Sequence, residues 1–286
     1  MRTLALVPMM AVVATTGSVL GLQPATAETA TDENLARSAV SRQLRVTAAE
    51  RQARWGVSVR PSELRVISGP AGDPTGTWVI PRGESVPHIR RRTTSMSMTM
   101  AVTPSRGHRV REVARAWGIP NPQVAWQAAV CRSRWDRAVG WFDTCGQFGR
   151  VVRAGDRRRH WVYRQYGTCR SHNGFRLTSC RLGTDRGRTG PRLAWDDWSP
   201  RSDSDGSCRD VSLTINVVGL GIGGGFAACE TIDVRKFSRP GHLVVTWRGW
   251  ASRTDREVAS QIGFSTPPRR LPVLVARWSL AGVVAL

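Results

Sequence analysis

Residues 211–230 read VSLTINVVGLGIGGGFAACE. Whether the chain is a nucleotide-binding α/β protein or a β protein turns on this stretch. Gly219, Gly221 and Gly224 satisfy G-x-G-x-x-G after an apolar run. That fingerprint also requires a helix straight after the glycines and an acid about twenty residues further on, to hold the ribose. Here Phe226-Ala227-Ala228-Cys229 runs on into Thr-Ile-Asp-Val, which reads as a returning strand, and Arg239 and its neighbours occupy the place of the acid. Upstream, Val211, Leu213, Ile215 and Val217 alternate with Ser212, Thr214 and Asn216, the pattern of a strand with one face buried. The glycines are therefore a turn or bulge between strands, and no cofactor is expected.

Further strands are expected at 63–68, at 76–80, in a hairpin over 149–167 around Ala154-Gly155-Asp156, at 241–250, and in the closing LPVLVARWSL of 271–280. Helices are expected over 33–46 behind Asp32 and over 47–56 behind the capping box Thr47 to Glu50. Two more are expected over 110–117 with Val110, Val113, Ala114 and Trp117 on one face, and from the capping box Thr254 to Glu257 as far as Gly263. The reading is an α+β protein: a helical N-terminal region followed by a mainly antiparallel, β-sandwich-like domain stapled by disulfides. Its divisions are a signal peptide over 1–27, a small helix-and-strand region over 28–80, and a linker or exposed loop over 81–109. A helix with its connection covers 110–130, and the β-rich domain covers 131–286.

The first twenty residues, MRTLALVPMMAVVATTGSVL, place Arg2 before an apolar run, and Ala25-Thr26-Ala27 offers a cleavage site before Glu28. This predicts a secreted, extracellular protein. Residues 271–286 hold Arg277 and are too few to span a bilayer as a helix, so no transmembrane segment is expected in the mature chain. In an oxidising compartment the six cysteines, Cys131, Cys145, Cys169, Cys180, Cys208 and Cys229, imply disulfides. Sequence does not fix their connectivity. Sequential pairing, 131–145, 169–180 and 208–229, is favoured because each pair brackets a turn. A zinc site from Cys169, His172 and Cys180 is the alternative, but no second close ligand pair completes it. Asp203, Asp205, Gly206 and Asp210 resemble half of a calcium loop that lacks its bidentate glutamate, so no metal is expected.

The formal net charge is +21, and the middle of the chain carries most of it, with 19 basic and 7 acidic residues over 101–200. Such a field attracts polyanions: nucleic acid, anionic wall polymer or acidic lipid headgroups. Arg157, Arg158 and Arg159 form the densest basic run on a strand, and Arg90-Arg91-Arg92 reads as a solvated loop. Of the twelve tryptophans, Trp195 and Trp198, with Trp247 and Trp250, stand where indole faces can stack on sugars or receive arginine. His160 and His172, beside Arg159 and Arg170, offer the one weak catalytic alternative, a metal-independent phosphodiester cleavage by paired imidazoles.

At GWFDTC (140–145), YRQYGTC (163–169), WDDWSPRSD (195–203) through Cys208, and WRGW (247–250) followed by REVA (256–259), the chain resembles a group of secreted proteins of GC-rich Gram-positive bacteria. The likeness spans residues 130–285. It implies export and disulfides and supplies no catalytic residue. Three functions remain open at this point: a non-enzymatic basic protein that binds anionic extracellular polymer or cell wall, a secreted hydrolase or nuclease-like toxin, and a protein-binding or inhibitor module that presents the 181–209 loop. The oligomeric state is not specified.

Overall fold

Ser95–Val102, SMSMTMAV, alternates strictly, with Met96 and Met98 buried and Ser97 and Thr99 on the opposite side. The computed structural model is built of strands, in which successive side chains point to opposite faces. The structure describes residues 60–284 apart from 69–75, 105–123, 152–157 and 187–192, with shorter breaks at 87, 93, 128, 137–138, 172–173, 202, 206–208, 224, 229–230, 237–241, 253 and 269. All described residues belong to one compact unit, Arg42–Leu286.

In chain order the strands are β1 (Leu64–Ser68), β2 (Gly76–Pro81), β3 (His88–Arg92), β4 (Ser95–Val102), β5 (Val124–Trp126), β6 (Val130–Asp136) and β7 (Gly140–Val151). Then come β8 (Arg159–Ser171), β9 (Phe175–Asp185), β10 (Ala194–Ser199), β11 (Ser204–Asp205), β12 (Arg209–Ser212), β13 (Ile215–Val217) and β14 (Leu220–Ile222). The last five are β15 (Gly225–Ala228), β16 (Thr231–Lys236), β17 (His242–Ala251), β18 (Arg256–Thr266) and β19 (Leu274–Val284). An eight-stranded sheet runs β1-β2-β6-β7-β8-β18-β10, with β5 paired to β7, and a seven-stranded sheet runs β11-β16-β17-β9-β19-β4-β3. The pairings within both are antiparallel.

The inward faces of the two sheets make one core. Trp78, Phe142, Phe148, Trp161 and Tyr163 come from the first sheet, and Met98, Leu177, Leu182, Trp247 and Trp278 come from the second. Cys169 on β8 is bonded to Cys180 on β9 and thus ties one sheet to the other. Close by, Thr184 Oγ1 on β9 donates to Gln165 Oε1 on β8 at 2.9 Å, a buried polar link across the same interface. Cys131 and Cys145 face each other in register on β6 and β7 and form the second disulfide, with 4.0 Å between their Cα atoms. Two of the expected sequential pairs are present. Cys208 and Cys229 lie outside the described residues.

Several expectations need correction. The described residues hold no α-helix, only the 3-10 turn Pro61–Glu63, so they form an all-β structure, not an α+β one. The expected helices over 33–46, 47–56 and 110–117 lie outside the described residues. The helix expected behind Thr254 is strand β18, which pairs with β8 along its whole length. Residues 256–266 are largely buried on both faces, so the apolar alternation that would have marked a strand is missing. The linker expected over 81–109 contains β3 and β4, which form the edge of the seven-stranded sheet. The single strand expected over 211–218 is divided into β12 and β13.

Candidate functional site

The outward face of the seven-stranded sheet is built by the same alternation that fills the core. Once Met96 and Met98 of β4 point inward, Ser97 and Thr99 point outward, and the register carries the pattern across the sheet. Arg90 of β3 stands opposite Ser97, Ser97 opposite Ser279 of β19, and Ser279 opposite Arg181 of β9. One row along, Thr99 faces Arg277, and Arg277 faces Gly183. Gly183 keeps the centre of the face low, since a Cβ there would rest 3.5 Å from the Arg277 Cβ. The result is a groove of about 500 Å3 whose walls carry Arg90, Arg181, Arg277, Ser97, Thr99 and Ser279.

Asp185 balances part of the charge in this groove. Arg277 Nη2 lies 3.7 Å from Asp185 Oδ2, and the same carboxylate oxygen lies 3.3 Å from His242 Nδ1. Arg277 keeps about half its surface exposed in that contact, 52%, so its guanidinium still reaches solvent. Arg90 and Arg181 are exposed as well. At the next strand Arg248 Nε meets Asp233 Oδ2 at 2.5 Å, and Trp250, the most exposed large apolar residue among the described residues at 68%, follows it along β17. Three guanidiniums interleaved with hydroxyl donors can take phosphate or carboxylate oxygens along a flat track. His242, held against Asp185, lines the same groove.

His160, expected to be catalytic, falls elsewhere. His160 stands on the outward face of the eight-stranded sheet, where its Nδ1 lies 3.0 Å from Asp196 Oδ2. Its register partner on β18 is Ser265, whose Oγ accepts from Arg158 Nε at 2.9 Å. Serine, histidine and aspartate are thus neighbours, but Ser265 is 2% exposed and its oxygen is engaged by Arg158. A nucleophile needs an approach path that this serine lacks. His172 and Arg157 lie outside the described residues, Arg158 is exposed, and Arg159 is half-buried.

The glycine-rich hairpin covers part of the same outward face. Val218 and Gly219 both have positive φ, 54° and 80°, and form the two-residue turn between β13 and β14. Ile215, Val217 and Ile222 then close over Val124, Val151 and Val162 as a second small core. Gln261 fastens the hairpin, its Nε2 donating to Leu213 O and to Ile222 O, each at 2.9 Å. Arg164 donates from Nε to Gln261 Oε1 and from Nη2 to Gly223 O at 2.8 Å, with its guanidinium 3.9 Å from the centre of the Trp126 ring. Burial lowers the pKa of Arg164, and the nearby Tyr166 hydroxyl opposes that shift. Of the three glycines, Gly219 serves the turn, Gly221 lies within β14, and Gly224 is outside the described residues.

Trp195 and Trp198 are partly buried and pack against the main core, and Arg201 lies 5.6 Å from the Trp198 ring while its Nη2 donates to Asp197 Oδ1 at 2.5 Å. Trp247 is buried and faces Arg256 at 5.1 Å. Cys169 and Cys180 are bonded to each other, which removes the zinc alternative. Asp203 Oδ1 accepts from Val234 N at 2.6 Å, so this acid serves the β11–β16 connection. The groove residues Arg90, Arg181 and Arg277 were missed from sequence. The available signal was the alternation Ser-Met-Ser-Met-Thr-Met, which, read as a strand, would have set the outward row.

No family model matches the chain, and no curated protein matches it. Among solved structures 17 chains match. One is named "Pore forming protein", with 7% sequence identity, a TM-score of 0.30, and coverage of 70% of this chain and 91% of that one. A likeness of that size carries no argument. Among the described residues no helix is long and apolar enough to cross a membrane.

Proposed function

We propose that this chain is an exported, non-enzymatic basic protein that associates with an anionic extracellular polymer through the outward face of its seven-stranded sheet. The observation that carries the reading is the juxtaposition of Arg90, Arg181 and Arg277 with Ser97, Thr99 and Ser279 around one groove. The net charge of +21 supports it, since such a field raises the local concentration of any polyanion. Two disulfides and an N-terminal stretch with the pattern of a signal peptide support export. Wall polymer is the favoured target because a regular row of donors on a rigid sheet suits a repeating chain of acid groups.

The test is retention of the purified oxidised protein on bacterial wall sacculi over a salt series, before and after the anionic polymers are stripped. Retention that depends on those polymers, falls steeply with salt, and is lost in the triple variant Arg90→Ser, Arg181→Ser, Arg277→Ser is the expected result. Equal retention on stripped walls would move the reading to stacking of glycan on exposed indole such as Trp250. No retention on either would overturn it.

A further inference from the structure

At one end of the sandwich, between β4 of one sheet and β6, β7 and β8 of the other, lies a recess of about 180 Å3. Its apolar walls are Val102, Val130 and Phe148, and its polar side chains are Glu84, Thr103, Gln127, Arg132 and Tyr163. Arg132 and Tyr163 are buried, and neither the Tyr163 hydroxyl nor Arg132 Nε has a hydrogen-bond partner. Arg132 Nη2 is paired with Glu84 Oε2 at 2.7 Å, so the charge of the guanidinium is already balanced. Gly146 makes the arrangement possible, because a Cβ there would run into the Tyr163 hydroxyl. Burial raises the Tyr163 pKa, which keeps its proton available for donation at any ordinary pH.

Two buried donors without acceptors, beside Val102, Val130 and Phe148, define what would fill the space. A carbonyl oxygen has two lone pairs and can accept from an N–H and an O–H together. A carboxylate would bring a second negative charge beside Glu84, and like charges at short range are unfavourable. An apolar cavity of roughly 150 Å3 holds a benzene ring, so this recess admits a group of a few heavy atoms and not a whole sugar or residue. We propose that the recess is a binding site for a neutral acyl group, an acetamido moiety. On a small turn of both side chains toward the recess, its carbonyl oxygen accepts from Arg132 Nε and Tyr163 Oη, and its methyl lies against Val102, Val130 and Phe148. The carrier of that group stays in solvent past Ala101 and Thr103, which line the same recess and are exposed.

The experiment is an NMR titration of the full oxidised chain with methyl-labelled valine, using acetamide as the probe. N-acetylglucosamine and N-acetylglycine amide serve as two carriers of the same group, and sodium acetate serves as the charged comparator. Saturable shifts at the Val102 and Val130 methyls are expected with acetamide, with acetate binding more weakly. Tyr163→Phe removes a donor without changing the wall and is expected to weaken acetamide binding about tenfold. Val102→Phe, which fills the recess from a half-buried position, is expected to abolish it. Tighter binding of the sugar or of the peptide supports the site and assigns its carrier. The absence of saturable shifts, unchanged affinity in Tyr163→Phe, or preference for acetate would overturn the proposal.

Discussion

Cys169 and Cys180 lie 5.8 Å apart between Cα atoms, one on each large sheet, and their disulfide crosses the core where Gln165 and Thr184 also meet. The chain turns from β8 into β9 within a few residues of this bond, so a short closed loop is made at the point where the sheets join. Constraining such a loop in the unfolded chain stabilises the fold by about 3 kcal/mol in the chain-entropy model. Replacing both cysteines with alanine should lower the unfolding free energy by about that amount, measured by denaturant titration. The Cys131 and Cys145 double variant, with a similar loop, should lose a comparable amount. A loss below about 1 kcal/mol in either would show that the unfolded chain is already restricted there.

Gln261 holds three partners at once: the carbonyls of Leu213 and Ile222 and the guanidinium of Arg164. Gln261→Leu would leave two buried carbonyls without this donor and a buried cation without this acceptor. The expected cost is about 3 kcal/mol. Because two of the bonds bind the β13–β14 hairpin to the sheet, cleavage by a protease within residues 213–223 should also accelerate. A stable variant with an uncut hairpin would show that Ile215, Val217 and Ile222 suffice to hold it.

Binding to a linear polyphosphate gives the proposed groove a numerical test. Each phosphate contact with a flexible strand contributes roughly 0.7 to the slope of log K against log salt. Replacing Arg90, Arg181 and Arg277 with serine should therefore reduce the slope by about 2. Arg60→Ser removes an exposed arginine paired with Glu63 far from the groove residues in sequence, and should leave the slope nearly unchanged. Equal slopes in the two variants would place the contact on another face.

How far the sequence carries is clear from three stretches. The glycines after Val217 were legible as a turn because no helix or acid follows them, and Val218 and Gly219 make that turn with two positive φ values. Residues 95–100 were not legible as a strand, although they alternate strictly, because serine, threonine and methionine are weak signals of a buried face and a proline- and arginine-rich stretch precedes them. Methionine fills the core here as leucine would. Residues 254–263 were read as a helix because Thr254 and Glu257 have capping-box spacing. Pairing with β8 on one side and β10 on the other overrode that local preference.

The candidate site was less legible than the fold, for a reason of geometry. Arg90, Arg181 and Arg277 are 187 positions apart at the extremes and meet only through the register of β3, β4, β19 and β9. No local motif encodes that meeting. By contrast, Arg157, Arg158 and Arg159 are adjacent in sequence, yet Arg158 is committed to Ser265, as its 2.9 Å contact shows. A basic run is set by adjacency in the chain, whereas this basic face is set by four paired strands.

The chain has only two tyrosines, Tyr163 and Tyr166, and both are buried. Burial pushes the Tyr166 hydroxyl up to about 12, with the Arg164 guanidinium pulling the other way, and it shifts Tyr163 upward as well. A folded pKa above the unfolded value of about 10 means that the native state holds its protons longer than the unfolded chain. The resulting stability is fully present below about pH 10 and is lost as pH rises from there through the folded value, by about 1.4 kcal/mol per pH unit for each tyrosine. A spectrophotometric titration should therefore show no phenolate near pH 10 in the native protein, and ordinary ionisation near that pH once denaturant is added. Phenolate should appear in the native protein only in step with the loss of near-ultraviolet circular dichroism. Free ionisation of either tyrosine near pH 10 with the fold intact would mean that the ring reaches water, and the burial of that side chain would have to be revised.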